Sequence, residues 1–298
     1  MDLDETAERL VAWAAGRDDV QAVILTSTRA IPGATLDAYS DYDIILVVED
    51  VLAMEADRGW LSDFGDVLIS YWDPVEVREE TGAVGVGNIT NYLDGLKIDF
   101  SLWSRQRYAD VTSGAEPDPE LDAGYRVLVD KVGLTEALPP PAYRSYIPQR
   151  PDEATYLRLI TDFLIGVPYV AKGLLRDELL PMKWVLDFDM RFNYLLPMLE
   201  WRVECDHDWS LKTGNLGKGL RRHLPADTWT ELVETFTGPD PESNWTALFA
   251  MVDLFGRVAE EVGRALGHRY PADLVQNVAE HARRMRQGVF DTDEKPAS

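Results

Sequence analysis

The chain has a single cysteine, Cys205, among its 298 residues, which excludes an internal disulfide and a cysteine cage for a metal and fits a reducing compartment. Its histidines, His207, His223, His268 and His281, show no paired metal-ligand spacing, so no zinc site is argued. A Gly-x-Ser-x-Gly elbow is missing, and with it any support for Ser/His/Asp chemistry. No run of about 18 apolar residues occurs, so no membrane span is read. The opening stretch MDLDETAERLVAWAAGRDD is acidic and amphipathic, unlike a secretory signal, and cytoplasm is the expected location. Positive charge is scarce: 29 Lys plus Arg stand against 52 Asp plus Glu, a formal net charge of -23. Such a surface repels nucleic acid and anionic membrane and attracts cations. A polycationic substrate fits it, and so does plain acidity in the service of solubility.

What is present reads as two textures. Apolar, β-branched runs at Ala22–Thr26, Ile44–Val48, Val67–Trp72 and Lys97–Trp103 predict strands, and Leu52–Leu61 predicts a helix between the second and third. The expected first domain, residues 1–137, is therefore an α/β (α+β) unit with a mixed, mostly covered sheet. Residues 138–151, Leu-Pro-Pro-Pro-Ala-Tyr-Arg-Ser-Tyr-Ile-Pro-Gln-Arg-Pro, forbid a continuous helix or central strand and read as a linker. Residues 152–298 carry Leu and aromatic residues at helical spacing over Asp152–Leu175, Glu178–Glu204, Pro225–Phe236, Glu242–Leu266 and Ala272–Gln287, which predicts an all-α helix bundle. Gly82-Ala-Val-Gly-Val-Gly-Asn88 lacks the dinucleotide fingerprint and reads as a flexible connection.

The chemistry concentrates at Asp41 and Asp43. Asp-x-Asp spacing alone means little in so acidic a chain. Here, however, the turn residues Pro32, Gly33 and Ser40 deliver the pair to the mouth of an apolar strand, where side chains two apart share a face. Asp99, flanked by Ile98 and Phe100, interrupts a second strand. Alone it could simply face solvent. Three carboxylates converging from adjacent strands are what a two-Mg²⁺ phosphoryl or nucleotidyl transfer site requires, because hard cations take oxygen ligands.

Ser27-Thr-Arg, Ser40-Asp-Tyr-Asp-Ile44 and Tyr92-Leu-Asp-Gly-Leu-Lys-Ile-Asp99 together resemble the aminoglycoside 6-adenylyltransferases, or streptomycin adenylyltransferases, of the nucleotidyltransferase superfamily. Tyr169–Glu178 and Gly214–Leu224 resemble that family's helical segments, so the likeness spans nearly the whole chain. One departure stands out: where the family usually has Gly-Ser-Arg, this chain has Ser27-Thr28-Arg29. The resemblance implies a nucleotidyltransferase domain followed by a substrate-binding helical domain. It also implies transfer of AMP from MgATP to a hydroxyl of a cationic antibiotic, with pyrophosphate released. Asp41 and Asp43 would bind two Mg²⁺, and Asp99 would bind metal or take the hydroxyl proton. Ser27, Thr28 and Arg29 would cradle phosphates, with further contacts from Lys172 and Lys218, and Lys212 behind them.

For the acceptor's cationic groups the helical part offers Asp177, Glu178, Asp187, Asp189 and Glu200, and Trp184, Trp201 and Trp209 could stack on a sugar or base. Each carboxylate reads equally as surface, each tryptophan as core. Two alternatives remain open: the same enzyme class with a lincosamide or protein acceptor, and a nucleotide-binding relative without turnover, for which the missing glycine speaks. Oligomeric state is left open.

Overall fold

The computed structural model describes residues 4–114 and 118–289, which divide into two compact units, Met1–Ser145 and Tyr146–Ser298. In the first unit, Asp4 caps helix α1 (Glu5–Ala15) by accepting the Ala7 N–H at 3.0 Å, and Leu10 and Ala14 are buried. The strands are β1 (Val20–Thr26), β2 (Tyr42–Val48), β3 (Val67–Trp72), β4 (Glu76–Arg78), β5 (Ala83–Tyr92), β6 (Lys97–Ser104) and β7 (Tyr125–Asp130). Among the described residues these seven form one sheet of order β3-β5-β6-β2-β1-β7, with β4 also on β5. β2 and β6 run parallel while the other pairs are antiparallel, so the sheet is mixed, as expected.

The continuous apolar texture of β1 and β2 follows from cover on both faces. One face carries Val23, Leu25, Ile44, Leu46, Phe100 and Leu102, packed with Trp60 and Phe64. The other carries the smaller set Ala22, Ile24, Ile45, Val47 and Trp103, under Tyr108 and Leu121. Cover does not extend to β3, an edge strand whose Leu68, Ile69 and Tyr71 are exposed. The predicted helix over Leu52–Leu61 is shorter, α2 (Val51–Ala56), and gives way to 3₁₀ turns over Arg58–Phe64.

The Gly-rich stretch from Gly82 corrects the sequence expectation, since most of it is strand β5 next to β6 near the middle of the sheet. Its glycines serve close packing. A Cβ on Gly85 would lie 2.5 Å from Arg107 Cδ, and one on Gly87 would lie 2.3 Å from Asp73 Oδ2. Glycine marks crowding here, where composition suggested flexibility.

Residues 138–151 contain no helix or strand. Helix α3 (Arg105–Thr112) follows β6, and up to Ser145 the 138–151 stretch is nonetheless fastened to Asp122, which ends the short helix α4 (Pro119–Asp122). The Asp122 carboxylate, 5% exposed, accepts the N–H of Ala142 at 2.8 Å, of Arg144 at 3.1 Å and of Ser145 at 2.8 Å, together with the Ser145 hydroxyl at 2.9 Å.

The second unit is helical: α5 (Glu153–Leu175), α6 (Leu179–Lys183), α7 (Leu196–Cys205), α8 (Ala226–Glu234), α9 (Pro241–Leu266) and α10 (Ala272–Arg286). Its core includes Phe163 of α5 stacked on Phe255 of α9 at 3.7 Å. The expected single helix over Glu178–Glu204 is interrupted, because Trp184–Leu195 between α6 and α7 winds as π-helix. Arg191 lies in this stretch. It is buried, and it donates to the Thr235 carbonyl at 2.6 Å and to Asp187 at 2.9 Å.

Burial opposes ionisation of Asp122, but the N–H groups of Ala142, Ser145 and Arg144 and the Ser145 hydroxyl outweigh it and hold the carboxyl below the usual aspartate range. The resulting stability is present above the unfolded-state value and is lost as pH falls through the lower folded value. Asp122→Asn should cost about 2–3 kcal/mol in urea unfolding at neutral pH, and its stability should fall less steeply than wild type's on acidification.

Candidate active site

The strand registers assemble the site. Asp43 near the start of β2 pairs with Thr26 at the end of β1 and, on its other side, with Asp99 near the start of β6. Residues opposite one another in a ladder point to the same face. Thr26, Asp43 and Asp99 therefore form a row across three strands, on the face that carries Ile24, Ile45 and Trp103. This is the face with the smaller apolar cover, which leaves its end open to polar groups. Asp41, one residue before β2, completes the set expected from sequence.

Lys97 joins the row. Two residues before Asp99 on β6, it shares that side chain's face, and its ammonium donates to Asp41 Oδ2 at 2.6 Å and to Asp99 Oδ2 at 3.0 Å. The other oxygen, Asp99 Oδ1, is buried with no hydrogen-bond partner. At the far end, the Thr26 hydroxyl bonds to the Asp43 carbonyl at 3.4 Å and to Glu120 Oε1 at 3.1 Å, which brings in a fourth carboxylate. Neither Lys97 nor Glu120 was picked out from the sequence. Lys97 was legible, because Lys-x-Asp on a strand places both groups on one side. Glu120 carries no such signal, since it reaches the row only through the tertiary placement of α4.

The charges are coupled. Burial, reinforced by Asp99 and Asp41, raises the proton affinity of Asp43 above the ordinary aspartate, although a hydrogen bond from Ser27 and the nearby Lys97 work against this. Burial also raises Glu120, with Asp118 and Asp43 adding to the effect. Lys97 behaves oppositely: burial disfavours its charge, and bonds to Asp41 and Asp99 outweigh that and hold the proton more firmly.

Ser27, Thr28 and Arg29 form a single 3₁₀ turn leaving β1. Ser27 has φ 60°, in the left-handed region that favours glycine, so the backbone keeps the turn without a glycine. Thr28 is exposed. Arg29 lies over the Tyr42 ring at 3.8 Å and donates to the carbonyls of Ser40 and Asp41 at 2.8 and 3.0 Å and to Asp4 at 3.0 Å. In this arrangement it braces the loop that presents Asp41.

Among the described residues no three acidic, histidine or cysteine side chains converge closely enough to enclose a cation on their own. At this row the Lys97 ammonium already stands as a cation between Asp41 and Asp99. The donors nevertheless suit a hard divalent ion. They are all oxygens, Asp99 Oδ1 is bare, and the ammonium marks where positive charge settles.

The remaining predicted residues lie in the second unit. Lys172, near the end of α5, and Lys218 are exposed, and Lys212 lies over the Tyr146 ring at 4.8 Å. Asp187 is engaged by Lys183 at 2.6 Å and Arg191 at 2.9 Å, Glu200 accepts from Thr213 at 2.8 Å, and Asp189 accepts from Asn193 at 2.8 Å. Asp177 and Glu178 are exposed. Trp201 is buried and Trp209 packs against the core, while Trp184 is 57% exposed beside Phe188.

A sequence model of the family described as streptomycin adenylyltransferase matches residues 2–285. The aminoglycoside 6-adenylyltransferase of Bacillus subtilis (strain 168) is 27% identical over 272 residues, covering 90% of this chain and 92% of that protein. That of Campylobacter jejuni is 25% identical over 256 residues, covering 85% of each. A crystal structure of an aminoglycoside 6-adenyltransferase from Bacillus subtilis aligns with a TM-score of 0.47 and 23% identity, covering 95% of this chain and 99% of that one.

The left-handed turn yields a clean test. Ser27→Gly and Ser27→Ala both delete the hydroxyl, but only glycine is at ease at positive φ. The glycine variant should be the more stable of the two by about 1 kcal/mol in urea unfolding.

Proposed function

The chain belongs to the streptomycin adenylyltransferase family, and from that premise we propose that it transfers AMP from MgATP to a hydroxyl of a streptomycin-like aminoglycoside, releasing pyrophosphate and inactivating the antibiotic. The observation that carries this reading is the in-register pairing of Asp43 with Asp99 on parallel strands, with Asp41 tied to Asp99 through Lys97.

Asp41, Asp43 and Asp99 would hold Mg²⁺, whose chemistry is to neutralise charge on the entering and leaving oxygens of an in-line displacement. Ser27 and Thr28 at the turn offer hydroxyls to phosphate oxygens, and Lys172 and Lys218 remain candidates for the same role. With Asp99 assigned to metal, Glu120 is the carboxylate on the row best suited to take a proton, because burial keeps its proton affinity above that of an ordinary glutamate. The acceptor oxygen bonds to the α-phosphorus, its proton passes to Glu120, and the bond to pyrophosphate breaks. Net acidity favours a polycationic acceptor, and a lincosamide would call for a more apolar site. No helix among the described residues is long and apolar enough to cross a membrane, and the cytoplasm, where MgATP is abundant, suits the reaction.

The direct test is pyrophosphate release from MgATP with streptomycin, other aminoglycosides, lincomycin or no acceptor. Release should require an aminoglycoside. Asp43→Asn should lower it at least about a hundredfold, and Glu120→Gln should lower kcat by about 10²–10⁴. Release supported by lincomycin alone, or unchanged in Asp43→Asn, would overturn the assignment. Stability should move the other way. Because the folded-state proton affinity of Asp43 is raised, its ionisation costs stability as pH climbs through that range, so Asp43→Asn should melt no lower than wild type at neutral pH.

A further inference from the structure

Lys97 is bonded to two carboxylates of the acidic row, and its position conflicts with the metal it would have to coexist with. Its ammonium lies 2.6 Å from Asp41 Oδ2 and 3.0 Å from Asp99 Oδ2, oxygens that the proposed metal site also needs. An ammonium and a divalent ion cannot share those oxygens, since at such separations in a half-buried site their repulsion is many times the thermal energy. The side chain is 29% exposed and is anchored only at its Cα on β6, so its flexible stem can carry the charge elsewhere.

We infer that Lys97 is an internal counter-cation, which holds Asp41 and Asp99 together until divalent cations load and then transfers its ammonium to the phosphate oxygens of the bound nucleotide. This rests on the metal-site reading above. Without Lys97 the half-buried carboxylates of Asp41, Asp43 and Asp99 would face one another with no compensating charge. With Lys97 in place, a divalent ion arriving alone must displace an ammonium that then lacks an anionic partner. A triphosphate arriving with the metal supplies that partner, so the two ligands bind cooperatively and the site resists metal in the absence of nucleotide. The bare Asp99 Oδ1 fits this arrangement: Lys97 satisfies Oδ2, and the buried, unbonded Oδ1 is an oxygen ligand left over for an ion once the ammonium has moved away. Lys97 is thus a positioning residue for the empty site and a phosphate contact in the loaded one.

The test reads metal binding directly, by Mn²⁺ titration followed by electron paramagnetic resonance, with and without the α,β-methylene analogue of ATP. Lys97→Met should bind Mn²⁺ alone at least about tenfold more tightly than wild type and should gain less from the analogue, while Asp43→Asn should lose Mn²⁺ binding. Lys97→Met binding Mn²⁺ alone no more tightly than wild type would overturn the inference and leave the metal site standing. Equal binding by wild type and Asp43→Asn would instead remove the metal site. A second measurement needs no variant. In the wild-type protein, reductive methylation of Lys97, read by mass spectrometry, should be slow in metal-free buffer, faster once Mg²⁺ alone is raised high enough to load the site, and slow again with Mg²⁺ plus the analogue. A methylation rate at Lys97 indifferent to Mg²⁺ would sink the proposal even if the variant did not fold.

Discussion

The parallel pairing of β2 with β6 is the constraint on which the site depends. Its register is set by apolar packing along the rest of the two strands. Ile44 and Leu46 pair with Phe100 and Leu102 on the larger apolar face, while Ile45 and Val47 pair with Ser101 and Trp103 on the other. A slip of one residue would turn each of these to the wrong side and bury Asp43 among Trp60, Phe64 and Phe100. The hydrophobic effect thus fixes which carboxylates meet. No attraction between Asp43 and Asp99 is needed to bring them together, and none is available, since the Asp99 charge disfavours ionisation of Asp43.

The site is accordingly a place where the fold tolerates local cost. Asp43 carries charge in a half-buried setting, Asp99 keeps an unbonded buried oxygen, and Ser27 sits at positive φ. Features of this kind persist only where the surroundings over-determine them. Here the surroundings are β1 and β2 packed on both faces, the aromatic contacts of Trp60 with Phe100 at 4.8 Å, and Arg29 bracing the loop that presents Asp41. The arginine of the Ser-Thr-Arg stretch therefore contributes to the site by fixing backbone, whatever it contacts once a nucleotide is bound.

Much of this was legible in the sequence. The runs that became β1, β2, β3 and β6 were visible because β-branched apolar residues persist over strand length, and the acidic pair at Asp41 and Asp43 was visible because it stands at the mouth of one run. β5 was not visible. Its glycines answer to side chains of Arg107 and Asp73 that approach from elsewhere in the chain, and a local reading has no access to such contacts. The π-helical stretch was hidden too, and the buried Arg191 within it bonds to Thr235, 44 residues away, a contact equally out of local reach. Lys97 could have been found from alternation alone, whereas Glu120 depends on where α4 comes to rest.

Charge alone does not single out any of the named acids of the second unit. A net charge of -23 creates a field that draws in cations and concentrates them near the surface, but a field does not select. Selection needs carboxylates whose oxygens remain available to a ligand, and the named acids differ in this. Asp187 neutralises Lys183 and Arg191 and so stabilises the π-helical segment from within. Glu200 is turned to Thr213, whose hydroxyl occupies one of its oxygens. Asp177 and Glu178 stand exposed between α5 and α6, where α5 ends and the chain turns with Asp177 at φ 55°. Charge density alone would rank all of these equally. Hydrogen bonding and burial separate the acids that build the helical unit from those with oxygens still open to an acceptor's amino or guanidinium groups.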